Sequence, residues 1–418
     1  MCKGAVLRYL LLLLLTIHLF AVDATMKIEK DVEQRSRIAL VDGSTLPNGK
    51  VFQIFLSDLK ISGHFLADRT LHKGDFSGSF IAPALKSKAY ILKYRFSSVS
   101  GVKLEVRLLK ASDGTQLFEK RYAIQHRAKM PFLVHKAVYD INRLLQYPDI
   151  GWINRYVVFS RYTTPKHSEI VLADYTLNYQ KVIIRGGLNL FPKWADATQK
   201  QLYYTSYAGL IPTLNRINIY TGAKRAVASS EGMIVCSDVS RDGSKMLLTI
   251  SPEGQADIYE MRLSTGSKIR ITNFNGVDVS GKYLGNGREI VFVSNRLGYA
   301  NIFKKSIDSA AVSQVVFHGR NNNAVDAYGE KIVYASRESN HAFGGNRFNL
   351  YVTSANGGVT RPLTTTGSNQ FPRFSTDGSV VLYIKQRGGS SSVGYINLES
   401  SQSLLFPLGG RKIQSIDW

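Results

Sequence analysis

Seven histidines lie beyond residue 24: His64, His72, His126, His135, His167, His318 and His341. No two of them stand in a His-x-His or His-x-x-x-His pair, the spacings that let one strand or one helix turn two imidazoles onto the same ion. A metal centre is therefore not expected. Beyond Cys2 the chain keeps one cysteine, Cys236, in an apolar run. It has no partner for a disulfide, and its thiol reads as a small buried hydrophobe. A Gly-x-Ser-x-Gly elbow for a serine nucleophile does not occur. Neither does a Gly-x-Gly-x-x-Gly or a phosphate-cradling Gly-rich loop ending in Lys-Ser/Thr. The aspartates of Asp242-Gly243 and Asp377-Gly378 are turn formers rather than general acids. The inventory offers no catalytic set and asks for no cofactor.

What it does offer is repetition. Ser237–Thr272 holds four short apolar runs separated by turn chemistry, including Asp242-Gly243 and Thr265-Gly266. Its first hairpin recurs in Phe371–Tyr383, with Asp377-Gly378, and in Gly281–Phe292, with Asn286-Gly287. It recurs more faintly in Asn323–Tyr334 and Phe191–Tyr203. Aligning the large residue before each turn gives Trp194, Val239, Tyr283, Val325, Phe374 and Trp418, at spacings of 45, 44, 42, 49 and 44. Four strands per unit and a period near 44 describe a β-propeller. Second strands start near Tyr156, Leu202, Met246, Ile290, Ile332 and Val381, which predicts six blades. The first blade, beginning at Arg155–Ser160, lacks its first strand, while Gln414–Trp418 is a first strand with nothing after it. The C-terminal strand is thus predicted to complete the first blade and close the ring.

Ahead of the propeller, residues 1–24 read as a secretory signal peptide. Lys3 and Arg8 precede the apolar run Leu10–Leu15, and Val22-Asp23-Ala24 supplies small residues for cleavage. The run is shorter than the roughly 20 residues of a membrane span, and no later stretch is apolar enough to be one. Residues 25–34 form a polar arm with isolated Ile28 and Val32. From Ser36 to about Ile150 the pattern mixes α and β. Strands are predicted at Arg37–Val41, Tyr90–Phe96, Val102–Leu108 and Gln116–Ala123, with helices over Val51–Leu59 and from Pro131 to Leu145. The expectation is a small α+β N-terminal domain over residues 25–150 and an all-β six-bladed propeller over 151–418.

The net charge of +22 is spread along the chain, with no zinc-finger spacing or basic heptads to suggest nucleic acid. A basic surface steering an acidic partner is the functional alternative to mere solvation.

The repeat with Pro-x-aromatic-Ser-x-Asp-Gly, seen in Pro372–Gly378, resembles that of the TolB family of periplasmic propellers, as does the order of α+β domain, six blades and stop. The resemblance implies a monomeric periplasmic scaffold rather than an enzyme, without cofactor or metal. Its implied partners are a Pal-like peptidoglycan-associated lipoprotein at one mouth of the channel and a TolA-like inner-membrane protein at the mature N-terminus. Together they maintain the envelope and its constriction in cell division. Carried over by position, it points to Met233, Cys236, Val279, Ser280, Asn322 and Asn369 for the first partner, and to Ile28 and Val32 for the second. Loops expected on the same rim carry Arg296, Arg337, Arg347 and Arg387, which favours an acidic ligand. Two other readings remain open from the residues alone. One is a hydrolase or lyase using the channel, which needs convergent acids or histidines at the mouth. The other is a carbohydrate-binding propeller, which needs aromatic platforms there.

Overall fold

The computed structural model describes residues 35–46, 48–98, 101–338 and 347–418. The predicted signal peptide and the predicted arm with Ile28 and Val32 lie outside the described residues. No described helix is long and apolar enough to cross a membrane.

The first part of the chain builds one mixed sheet. Its strands are β1 (Ser36–Asp42), β2 (Phe65–Ala67), β3 (His72–Lys73), β4 (Tyr90–Ser97), β5 (Val102–Lys110) and β6 (Gln116–Ile124). The order is β2-β1-β4-β5-β6, with β3 also paired to β1. β1 and β4 run parallel, and β4, β5 and β6 form an antiparallel meander. Two helices, α1 (Gly49–Ser62) and α2 (Met130–Leu144), cover one face. Asn48 starts α1 by accepting a hydrogen bond from Lys50 N at 3.1 Å, and Gly63 ends it in the left-handed region at φ 82°. Pro131 sits in the first turn of α2, where its missing N–H costs nothing. Val51, Phe55 and Leu59 of α1 and Val134, Val138 and Ile141 of α2 are buried against Leu40, Leu92, Leu104 and Val106 of the sheet. Within both helices predicted from periodicity, these apolar positions form the buried face.

The rest of the chain forms six four-stranded antiparallel sheets. Five are consecutive meanders; the sixth pairs the C-terminal strand Ile413–Asp417 with Val157–Thr164, followed by His167–Ala173 and Gln180–Ile184. Ile416 lies opposite Phe159, so the ring closes as the complementary defects at the two ends required. The turns behave as turn chemistry dictates. Gly243 and Gly378 each have φ 70°, and the Asp242 carboxylate accepts from Ser244 N at 3.0 Å and from Ser240 Oγ at 2.6 Å. These bonds lower its pKa to about 2.

One member of the repeat alignment needs correcting. Tyr283 pairs with Ile290 at the end of its strand, and the matching pair in the next blade is Ala327 with Ile332, so Ala327 takes the place assigned to Val325. The innermost strand there carries two register shifts rather than one, which moved its apolar residue out of frame.

Candidate functional site

Each innermost strand reaches the central channel through a β-bulge. Register shifts fall between Leu190 and Lys193, Cys236 and Asp238, Val279 and Lys282, Asn323 and Asp326, Gln370 and Arg373, and Ile413 and Ser415. A bulge gives one strand an extra residue, which bends it and redirects its side chains. Phe191, Ser280, Ala324 and Phe371 are held at φ between 51° and 59° by these bulges. The result is a cavity of about 360 Å³ at the channel mouth, walled by residues that include Phe191, Met233, Val235, Val279, Ala324 and Phe371.

In five blades the first residue paired after the bulge is charged; in the sixth Ser415 follows the bulge, and Asp417, two residues on, takes the matching place beside the next blade, so the sign alternates around the ring: Lys193, Asp238, Lys282, Asp326, Arg373, Asp417. Lys193 Nζ lies 3.1 Å from Asp417 and 3.5 Å from Asp238; Lys282 Nζ lies 3.0 Å from Asp326; Arg373 Nε lies 3.9 Å from Asp417. Each carboxylate also accepts a backbone N–H from the following blade: Asp417 from Trp194 at 2.9 Å, Asp238 from Tyr283 at 3.0 Å, and Asp326 from Phe374 at 2.9 Å. The ring therefore repeats every two blades. For Lys193, Lys282 and Asp326 burial works against the charged form, and the opposite sign next door works for it. Burial alone would raise the Asp326 pKa, yet Lys282, Arg373 and Lys193 bring it below the usual carboxylate value. The net effect on Lys193 is upward, from Asp417 and Asp238 acting against desolvation. Sequence reasoning missed this ring. Its signal was the residue just before each aligned large side chain, obscured when Val325 stood in for Ala327.

Of the residues expected at the mouth, Met233, Cys236, Val279 and Ser280 do line the cavity. Cys236 is nearly buried and its thiol is pushed up to about 12 by desolvation, so it is an inert wall residue. Asn322 and Asn369 require correction, because both are fully buried. Asn322 Nδ2 donates to Asn301 Oδ1 at 3.0 Å and His318 O at 2.8 Å. Asn369 Nδ2 donates to Thr366 O at 3.0 Å and also ties Asn349 and Thr364 together. These amides satisfy buried loop groups; their neighbours Asn323 and Gln370 face the channel instead.

Arg296 is also not a free steering charge. Its Nη2 is 3.0 Å from Asp278, which is fully buried, and its Nε donates to Ser294 Oγ at 2.9 Å. Its guanidinium lies 5.0–5.4 Å from the ring centres of Phe274, Phe292 and Phe303. It is built into its blade as a packed cation. Arg337 is half-buried, whereas Arg347 and Arg387 are exposed. The loops on this face also expose Leu210, Ile211, Val277, Leu297 and Phe317.

The opposite face is covered by the first part of the chain. Asn397 Nδ2 donates to Ile61 O at 3.2 Å, and Trp152 packs 5.4 Å from Trp418 and 5.6 Å from Tyr175 between ring centres. At the same junction the fully buried His135 bridges two elements. Its Nδ1 is 2.9 Å from Asp58 of α1, and its Nε2 is 3.3 Å from Asp174 of the first blade. Tyr175 donates its hydroxyl to Asp58 as well. Desolvation disfavours the imidazolium, but the two carboxylates outweigh it and raise its pKa to about 9.

These features define a closed six-bladed propeller, capped on one face by an α+β unit and open on the other through an apolar mouth above a ring of buried charge. A family model, the TolB beta propeller domain, matches residues 151–418. Among similar proteins, the Tol-Pal system protein TolB of Wolinella succinogenes is 44% identical over 96% of this chain and 97% of its own length. That of Campylobacter jejuni is 38% identical over 96% of both chains. The crystal structure of TolB from Acinetobacter baumannii superposes with a TM-score of 0.75 over 92% of this chain and 96% of its own, at 22% identity, and shows the shared fold. The chain belongs to the TolB family.

Proposed function

We propose that this protein is a periplasmic scaffold of the Tol–Pal type, without catalytic activity, built from an N-terminal unit over 25–150 and a propeller over 151–418. Its open mouth binds a Pal-type peptidoglycan-associated lipoprotein, and its N-terminal arm, through Ile28 and Val32, binds a TolA-type inner-membrane protein. The scaffold thereby couples the two membranes during envelope constriction. The observation that carries the reading is the half-buried apolar wall at the uncovered face, where Met233, Val279 and Phe371 stand beneath an exposed rim of Leu210, Leu297 and Phe317. Such a surface suits a protein partner better than a sugar, which would call for several flat platforms, whereas Phe317 is the one aromatic among these rim side chains. Four relatives bearing the Tol-Pal system name, each covered over almost its whole length, support the assignment.

The test uses purified mature protein with the organism's Pal and the periplasmic part of TolA. Val279→Trp fills the mouth and is expected to weaken Pal binding at least tenfold through faster dissociation while leaving TolA binding intact. Deletion of residues 25–33 is expected to do the reverse. Unchanged Pal binding by Val279→Trp refutes the mouth assignment, and unchanged TolA binding by the deletion refutes the arm.

A further inference from the structure

The floor of the mouth cavity presents three cations, and their hydrogen-bonding capacity is not used up. Lys193, Lys282 and Arg373 line the cavity, whereas Asp238, Asp326 and Asp417 are not among its lining residues. The carboxylates are committed on both sides: each takes a backbone N–H from the next blade through one oxygen and faces a ring lysine with the other. Of the cations, Lys193 donates to Asp417 Oδ1 at 3.1 Å, but the other two keep donors to spare. Lys282 is 2% exposed, and although its Nζ lies 3.0 Å from Asp326, the alignment makes no hydrogen bond, so its charge is balanced while its N–H groups are unspent. Arg373 donates through Nη1 to Pro372 O at 2.8 Å, but its buried Nε has no acceptor. A buried donor without an acceptor is costly, and a charged one more so. The unmet need at this floor is for acceptors bearing negative charge.

We infer that the base of the channel is an oxyanion site, in which Lys282 and Arg373, with Lys193 beside them, bind a carboxylate or a comparable oxyanion at the propeller axis. The two ring types divide the work. Lysine supplies a compact ammonium with several donors, and arginine a fork that matches a planar carboxylate. The apolar walls above lower the polarity around these groups, which strengthens each of these bonds. The depressed pKa of Lys282, caused first by desolvation and then by Lys193, agrees with a cation whose partner is still to come. The same chemistry arises from an acidic side chain of a docked protein or from a small free anion. Only the first source rests on the docking function proposed above.

The experiment titrates sodium acetate, and separately inorganic phosphate, into the mature protein at constant ionic strength made up with chloride. It follows the ¹⁵N resonance of the Lys282 ammonium. A saturable shift is expected, at least tenfold weaker in affinity for Arg373→Gln, and for Lys282→Met the saturable heat of acetate binding seen by calorimetry in the wild type is expected to vanish. A non-saturating response, or calorimetric binding that survives Lys282→Met in protein melting as the wild type does, overturns the inference. A second arm measures Pal binding against rising acetate. Competition in the wild type that disappears in Lys282→Met identifies the anion as a partner carboxylate. Acetate binding with no effect on Pal identifies a free anion, and both results uphold the site. Because acetate binding is read without Pal, failure of the docking reading leaves this test standing.

Discussion

Raising the pH from 6.5 to 9 should selectively weaken the junction between the N-terminal unit and the propeller. His135 is fully buried between Asp58 and Asp174, and its pKa of about 9 compares with an ordinary value near 6.5. A group whose pKa is raised on folding stabilises the fold fully below the unfolded value and loses that contribution as pH climbs through the folded one. The difference corresponds to about 3 kcal/mol, present at pH 6 and mostly gone by pH 9. Other groups facing the site do not reverse the sign. Tyr175 is raised well above 10 by burial and stays neutral throughout. Asp58 is raised by burial, which also favours the folded state toward acid. Depressed lysines elsewhere, such as Lys282 and Lys93, tilt the absolute profile the other way. They are common to wild type and variant, so the clean quantity is a difference. His135→Gln leaves two buried carboxylates without their cation and should cost about 3–5 kcal/mol at pH 6.5. Urea unfolding of both proteins at half-unit steps should show that gap shrinking by about 3 kcal/mol by pH 9. A gap that stays constant within about 0.5 kcal/mol would mean that His135 is neutral in the folded protein, and the ion-pair reasoning would fail.

Deleting Gln414–Trp418 removes Asp417 from the charge ring and leaves one edge of Val157–Thr164 without a partner strand, so the truncated protein should melt well below the wild type and aggregate through its open edges; melting at the wild-type temperature would refute ring closure as a source of stability. The arginines of the mouth should separate by role. Arg296→Glu strands the buried Asp278 and should cost about 3–5 kcal/mol by denaturation, whereas Arg347→Glu, at an exposed position, should leave stability unchanged. Arg347→Glu should instead slow Pal association a few-fold at low salt, an effect that stopped-flow measurements should see fade at physiological ionic strength, where the screening length is about 8 Å.

Much of the architecture was legible because its determinants are local. Asp242-Gly243 and Asp377-Gly378 encode their hairpins within a few residues, and a strand's period is visible wherever one face is buried. Ring closure was legible too, since a blade lacking its first strand and a chain ending in one can be satisfied only by each other. The site was legible only to the level of a segment. Met233, Val279 and Ser280 belong to the mouth, but Asn322 and Asn369 turn inward while Asn323 and Gln370 face the channel. A one-residue difference flips a strand side chain to the other face, and the bulges that set this register form only when six strands converge on one axis. Arg296 carries the same lesson in charge. Its type announces a cation, but Asp278 and three phenylalanines, brought together by packing, decide that it serves the blade rather than a partner. The residue types and the repeat were properties of the sequence by itself. Which charges face each other across the channel, and which donors remain unspent there, were decided by tertiary structure, because residues about 44 apart in the chain become neighbours only when the ring closes.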